Sequence, residues 1–394
     1  MNIPREEMEA IKEFSKFMGQ KIESEPEIYF RIGYHVENGH VTYLRCFQEH
    51  KTMLKLKKKN QVDKLALPQS LGNLIYLKDL WISHCFRPIL PESLVNCKDL
   101  EVLKISDNHL TELPNFIASF KKLRDLYVDR NDFEKIPPVL LKLPNLEFLQ
   151  LKPGKLNRVH KVLVCRALGW GMDKGAYQDR IGALIQGGLV HFFRNFYKLH
   201  KEENPQSNIE LVEPESWKMF DNGFQNEQKF HVLLLNDLRF YMLKSFFSAY
   251  VFEGNYEKAV ELGELWAPDY DHSGSTGIRN DLLFCHFKLG NIAATERHLQ
   301  SAKYKYGLYD IFKEALLILK EQYKKAEINL KQVLKKGYYE DLISYVLGDL
   351  YFRQKKWKDA KREYEKSLEK AGSHFWLTRE EIVERLEEIS SQMS

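Results

Sequence analysis

The chain has 394 residues, 44% hydrophobic and 29% charged, with a net charge of +4. This is the composition of a folded protein with room for two or three domains, which excludes a largely disordered chain. The small basic excess argues against nucleic acid as a partner, because that would need a concentrated basic face. The densest basic run, Lys55 and Lys57 to Lys59, reads as a solvated strand end.

In chain order, residues 4–18 predict an amphipathic helix. Pro4 suits its start, and Met8, Ile11, Phe14 and Met18 share one stripe. Ile28, Phe30, Ile32, Tyr34 and Val36 then alternate with polar residues up to Asn38-Gly39, and Val41 and Tyr43 follow. Alternation around Asn-Gly signals a β-hairpin. Residues 1–53 thus form an N-terminal cap of helix and hairpin. Leu54, Leu56, Asn60, Val62 and Leu65 look like a degenerate first copy of what comes next.

From Leu67-Pro68 the pattern repeats every 23 residues, at Leu90-Pro91, Leu113-Pro114 and Ile136-Pro137. Apolar positions recur in step, for example Leu80, Leu103, Leu126 and Leu149, and then Ile82, Ile105, Val128 and Leu151. A fixed period of this length signals a repeat architecture, and each Leu-x-Leu reads as a strand with both leucines inward. The form LPxxLxxLxxLxxLxLxxNxL resembles the leucine-rich repeat family, in the Leu-Pro class of Ras-pathway scaffolds. The resemblance covers residues 54–157. It implies an α/β solenoid with a parallel sheet on its concave face. It also implies a buried Asn at 108 and 131 bonded to neighbouring turns. Cys85 takes that position one repeat earlier, and Gly154 ends the series.

Residues 158–230 predict a connector of helix and loop, with Leu184, Ile185, Leu189, Phe192, Phe193 and Phe196 on a buried helix. From 231 to 394 the chain reads as helical. An aromatic or apolar residue recurs three before a small one at Tyr256/Ala259, Ile292/Thr295, Tyr323/Ala326 and Trp357/Ala360. Gly254-Asn255 and Gly290-Asn291 look like a helix stop followed by a cap. This resembles degenerate tetratricopeptide repeats, which implies an all-α solenoid over about 231–370. Thr378 and Glu381 predict a capping box that opens a closing helix.

No nucleotide-binding or zinc-protease motif is present. The 13 histidines are dispersed, with none at ligand spacing to Cys or Asp, so neither metal nor cofactor is expected. Cys46, Cys85, Cys97, Cys165 and Cys285 form no CxxC, so a disulfide framework is not expected. With Glu6, Glu7 and Glu9 unlike a secretory leader and no apolar run long enough to span a membrane, a cytoplasmic protein is expected.

The expected function is binding. The outward strand positions form four columns 23 apart: Asp79, Val102, Asp125 and Phe148; Trp81, Lys104, Tyr127 and Gln150; Ser83, Ser106, Asp129 and Lys152; His84, Asp107, Arg130 and Pro153. Exposed Trp, Tyr and Arg together match the composition of interface hot spots. The partner-binding set is Asp79, Trp81, His84, Lys104, Asp107, Tyr127, Asp129, Arg130, Phe148 and Gln150, with Lys244 and Asn280 in the helical groove. Ser248, Phe284, Ile311, Ala315, Tyr345 and Asp349 share those inward positions, which read equally well as a peptide groove and as plain packing. The resemblance to scaffolds implies a protein partner, such as a small GTPase or another signalling protein, for a non-enzymatic adaptor. The weighed alternative is an effector ubiquitin ligase, which places a helical domain after leucine-rich repeats. Its Cys-x-Asp motif is missing, because Cys165 precedes Arg166-Ala167. The oligomeric state is left open.

Overall fold

The computed structural model describes residues 3–25, 32–47, 66–84, 88–152, 154–168, 180–215, 217, 239–264, 276–301, 308–370 and 377–393. The degenerate first repeat expected at 54–65, together with Cys85 and Pro153, lies outside them. The chain divides into two compact units, 1–156 with 171–238 and 157–170 with 239–394. The segment expected as a connector is therefore shared between the two.

The first unit opens with helix α1 (Arg5–Met18), which buries Ala10, Ile11, Phe14 and Met18 and ends on the left-handed Gly19. Next come β1 (Gly33–Glu37) and β2 (His40–Phe47), antiparallel across Asn38-Gly39, both at positive φ as this turn requires. Glu7 of α1 is buried and pins the hairpin. Its Oε1 lies 2.7 Å from His40 Nδ1, and its Oε2 accepts the Val41 N–H at 2.8 Å.

The strands β3 (Asp79–Ser83), β4 (Val102–Lys104), β5 (Asp125–Tyr127) and β6 (Phe148–Gln150) follow. The sheet runs β1-β2-β3-β4-β5-β6 and is parallel from β2 onward. From β3 to β6 the pairing keeps the 23-residue step, as in Leu80↔Leu103↔Leu126↔Leu149. Between β2 and β3 the step is different, with Leu44 opposite Leu80. The hairpin strand β2 thus continues the parallel sheet beside β3 and covers that edge. Each proline of the Leu-Pro pairs sits just before a single 3₁₀ turn, at Gln69–Asn73, Glu92–Asn96, Asn115–Ser119 and Pro138–Lys142, where no ladder donor is needed. Leu80, Ile82, Leu103, Ile105, Leu126, Val128, Leu149 and Leu151 are buried, each stabilising the fold by roughly 1.5–3 kcal/mol. Helix α3 (Arg180–Glu203) packs on β6 and on the last 3₁₀ turn. It buries Leu189, Phe192, Phe193 and Phe196, with Phe193 stacked on Trp217.

The second unit is helical. It comprises α2 (Arg158–Leu168), α4 (Arg239–Phe252), α5 (Tyr256–Glu264), α6 (Thr276–Lys288), α7 (Ile292–Ser301), α8 (Leu308–Leu319), α9 (Tyr323–Leu334), α10 (Glu340–Arg353), α11 (Trp357–Lys370) and α12 (Arg379–Met393). Helices α5, α7, α9 and α11 start at Tyr256, Ile292, Tyr323 and Trp357, the residues that head each short unit in the sequence. Their small partners, Ala259, Thr295, Ala326 and Ala360, are all fully buried. Gly254 and Gly290 adopt left-handed φ values of 73° and 66°. The Oδ1 atoms of Asn255 and Asn291 cap the next helix through Lys258 N and Ala294 N. At the two later turns Glu321 and Lys355 hold the same left-handed place, with φ of 60° and 57°. No helix among the described residues is long and apolar enough to cross a membrane.

Candidate functional site

Strand alternation sends two rows of side chains to the face opposite the leucines. The central row runs Arg45, Trp81, Lys104, Tyr127 and Gln150 in register. Its chemistry alternates cation and ring. The Lys104 ammonium lies 5.0 Å from the Trp81 ring centre and 4.2 Å from that of Tyr127. The Tyr127 ring meets Phe148 at 5.0 Å. A cation held between two ring faces gains about 0.5–1 kcal/mol per contact at an accessible site. Trp81 Nε1 donates to Ser83 Oγ at 2.7 Å.

The structure differs from the expectation of an exposed row. Trp81, Lys104, Tyr127, Gln150 and Asp107 are half-buried, whereas Asp79, Asp129 and Phe148 are buried. Of the ten positions on the sheet, all of them described, His84 and Arg130 alone stand exposed. The reason is mutual cover. Arg45 of β2 clasps both oxygens of Asp79, at 3.2 and 2.5 Å, and burial still pushes that carboxyl above its usual range. Ser106 Oγ donates to Asp129 Oδ1 at 2.6 Å. Phe148 lies under Tyr127.

The column of His84, Asp107 and Arg130 has a property the alternation pattern does not reveal. All three residues have left-handed backbone, with φ of 60°, 60° and 54°. They mark the bend where the chain leaves the strand. His84 and Arg130 each face the Asp107 carboxylate at 3.4 Å, so the column forms a charge ladder. Further pairs one 23-residue step apart, Lys122–Asp99 and Arg124–Glu147, run along the rim.

Beneath this bend lies the asparagine ladder. Asn108 Nδ2 donates to Ile82 O and Ile105 O, at 2.8 and 3.0 Å. Asn131 Nδ2 donates to Ile105 O and Val128 O, and its Oδ1 accepts from Asn108 N and Leu110 N. Both side chains are buried.

In the helical unit the positions expected to line a groove are filled core. Ser248, Phe284, Ile311, Ala315, Tyr345 and Asp349 are buried and Asn280 is half-buried, while the Lys244 side chain lies outside the described residues. Helix α8 packs against both α6 and α10, which covers the face that Ile311 and Ala315 share. Glu381 also departs from expectation. Thr378 Oγ1 accepts the Glu381 N–H, which is half of a capping box. The Glu381 carboxylate instead turns inward, where it takes the hydroxyls of Tyr345 at 2.8 Å and Tyr256 at 3.1 Å and pairs with half-buried Lys288. Burial opposes the charge, but Lys288 and the two hydroxyls outweigh it and hold this carboxyl at about 2.

The four described cysteines, Cys46, Cys97, Cys165 and Cys285, are buried. Cys165 is buried against Val162, Ala249 and Phe252, and burial pushes Cys97 and Cys46 up to about 12. One group of possible metal ligands stands out among the described residues: Glu264, His286 and His298. They come from three helices and are separated by 22 and 12 residues, so no short motif announces them. The dispersed histidines of the sequence are therefore in part brought together by the fold. No known family model matches the chain, and no curated protein matches its sequence.

Proposed function

We propose that this chain is a non-enzymatic adaptor that binds a protein partner through the outer face of its parallel sheet. The observation that carries this reading is the Trp81–Lys104–Tyr127 stack with Arg130 beside it. Half-buried rings with cationic heads on an open sheet face suit a partner that offers apolar side chains and carboxylates. The 23-residue step of the sheet and the buried asparagines support a leucine-rich repeat solenoid. The helix starts at Tyr256, Ile292, Tyr323 and Trp357 support a tetratricopeptide-like array. A small GTPase or another signalling protein remains the partner class that the scaffold resemblance implies, and a cytoplasmic location goes with it.

The test is charge reversal on the face. A partner captured by the full chain and then purified should bind Arg130→Glu with affinity lowered by about 1–3 kcal/mol. Arg130→Glu also sets a carboxylate beside Asp107 and Asp129, so Arg130→Ala serves as the stability control, whereas Trp81→Ala and Tyr127→Ala should each lower both binding and stability because their rings pack on Lys104. Undiminished binding by Arg130→Glu and by Lys104→Glu would remove the sheet face from consideration.

A further inference from the structure

We propose that Glu264, His286 and His298 form a binding site for one divalent transition-metal ion of the zinc type. The three side chains come from the end of α5, from α6 and from α7, so a bound ion would tie three consecutive helices together. Their ligand atoms all lie within 4.8 Å of one another. His286 Nε2 and His298 Nε2 each sit 2.9 Å from the same carboxylate oxygen, Glu264 Oε1. Zinc–nitrogen and zinc–oxygen bonds of about 2.0–2.2 Å in tetrahedral geometry set neighbouring ligand atoms about 3.3 Å apart. The two histidine–carboxylate contacts need to lengthen by only a few tenths of an ångström to admit the ion.

Two features favour a cation over a plain hydrogen-bond cluster. First, Arg297 Nη2 also reaches Glu264 Oε1, at 2.5 Å. Three donors thus converge on one oxygen, which has only two lone pairs. A metal relieves this crowding, because it takes the lone pairs of both imidazoles and leaves the exposed arginine free to turn to solvent. Second, Nδ1 of His286 is buried with no partner. No donor fixes the ring in the tautomer that would deny its Nε2 lone pair to a metal.

The ligand set selects the ion class. Two imidazoles and one carboxylate suit zinc, cobalt or nickel, whereas magnesium and calcium take oxygen ligands. The imidazole side chains are only 2% and 5% exposed and that of Glu264 is 29% exposed, so the carboxylate marks the way in. Three protein ligands leave a fourth position for water or another ligand.

The experiment uses the full chain, stripped with a chelator and titrated with zinc by calorimetry, and with cobalt by visible absorption. One equivalent of zinc should bind, magnesium should not compete, and cobalt should give the intense ligand-field bands of a tetrahedral site. His298→Gln and Glu264→Gln should each weaken zinc by at least the roughly 10–100-fold seen when even an outer-sphere partner is lost. Circular dichroism of the metal-free variants checks that they fold. If they do not, the cobalt spectrum of the unaltered chain decides. No zinc binding, six-coordinate cobalt bands, or one-equivalent binding that survives in folded His286→Gln/His298→Gln would overturn the assignment.

Discussion

Asn131→Ala tests the ladder that holds the repeated turns together. The Asn131 side chain makes four bonds, two from Nδ2 to Ile105 O and Val128 O and two at Oδ1 from Asn108 N and Leu110 N. Ile105 O keeps its bond from Asn108 Nδ2 when Asn131 is cut back. Val128 O and the Asn108 and Leu110 amides then lose their Asn131 bonds in a region closed to water. A buried group left unpaired costs about 1–3 kcal/mol, and Val128 O with the Leu110 amide at the lower end sum to about 2 kcal/mol. Asn131→Asp is the sharper variant. It keeps the shape and the acceptor, loses both donors, and sets a carboxylate against two carbonyl oxygens, so it should destabilise at least as much. Chemical denaturation supplies the overall loss. Hydrogen exchange supplies the local one, because the Asn108 and Leu110 amides should lose protection before the rest of the sheet. A midpoint shift worth less than about 0.5 kcal/mol, within the range of ordinary surface substitutions, together with unchanged exchange at those amides, would refute the reasoning.

Acid should act through Glu381. Its carboxyl sits at about 2 in the folded chain, against 4.5 as its ordinary value. Because the folded value is depressed, the stabilisation is fully present above pH 4.5 and is lost as pH falls toward 2, about 3 kcal/mol in all. Glu381→Gln should flatten that part of the stability profile while costing stability at neutral pH, where half-buried Lys288 loses its carboxylate and keeps only the Tyr345 hydroxyl; an unchanged acid limb would count against the cluster. Gly348 is a close-approach position, where an added Cβ would lie 2.7 Å from the Tyr364 ring. Gly348→Ala should therefore lower stability by about 1–3 kcal/mol despite its better helix propensity, and a raised melting temperature would show that the contact gives way easily. Lys355 is exposed and left-handed with φ 57°, so Lys355→Gly should raise stability by about 0.5–1 kcal/mol, measured as a higher denaturation midpoint, and a lower midpoint would contradict the strain.

Much of the local structure was legible because it rests on short-range chemistry. Asn38-Gly39 located the hairpin, since few other residues accept two successive positive φ angles. Gly254-Asn255 and Gly290-Asn291 marked helix ends for the same reason. The outward face was read less well. Alternation tells which side of a strand a residue takes, but not how far its neighbours cover it. Asp79 is hidden by Arg45 from a strand 34 residues away, and Phe148 by Tyr127. The helical face stays open between groove and packing at the level of sequence, because period alone does not say whether a face is open or packed.

The sequence by itself determined the 23-residue step, the inward leucines and the helix boundaries at Gly254-Asn255 and Gly290-Asn291, while the buried asparagines came from the family resemblance. The leucines and the caps follow from strand alternation and from residues adjacent in the chain. The tertiary structure alone decided what separated residues do together. It set Lys104 between Trp81 and Tyr127, turned Glu381 away from its own helix end toward Lys288, and converged Glu264, His286 and His298 on one point. Such meetings depend on helix crossing and strand pairing over tens of residues, and side-chain spacing along the chain carries no record of them.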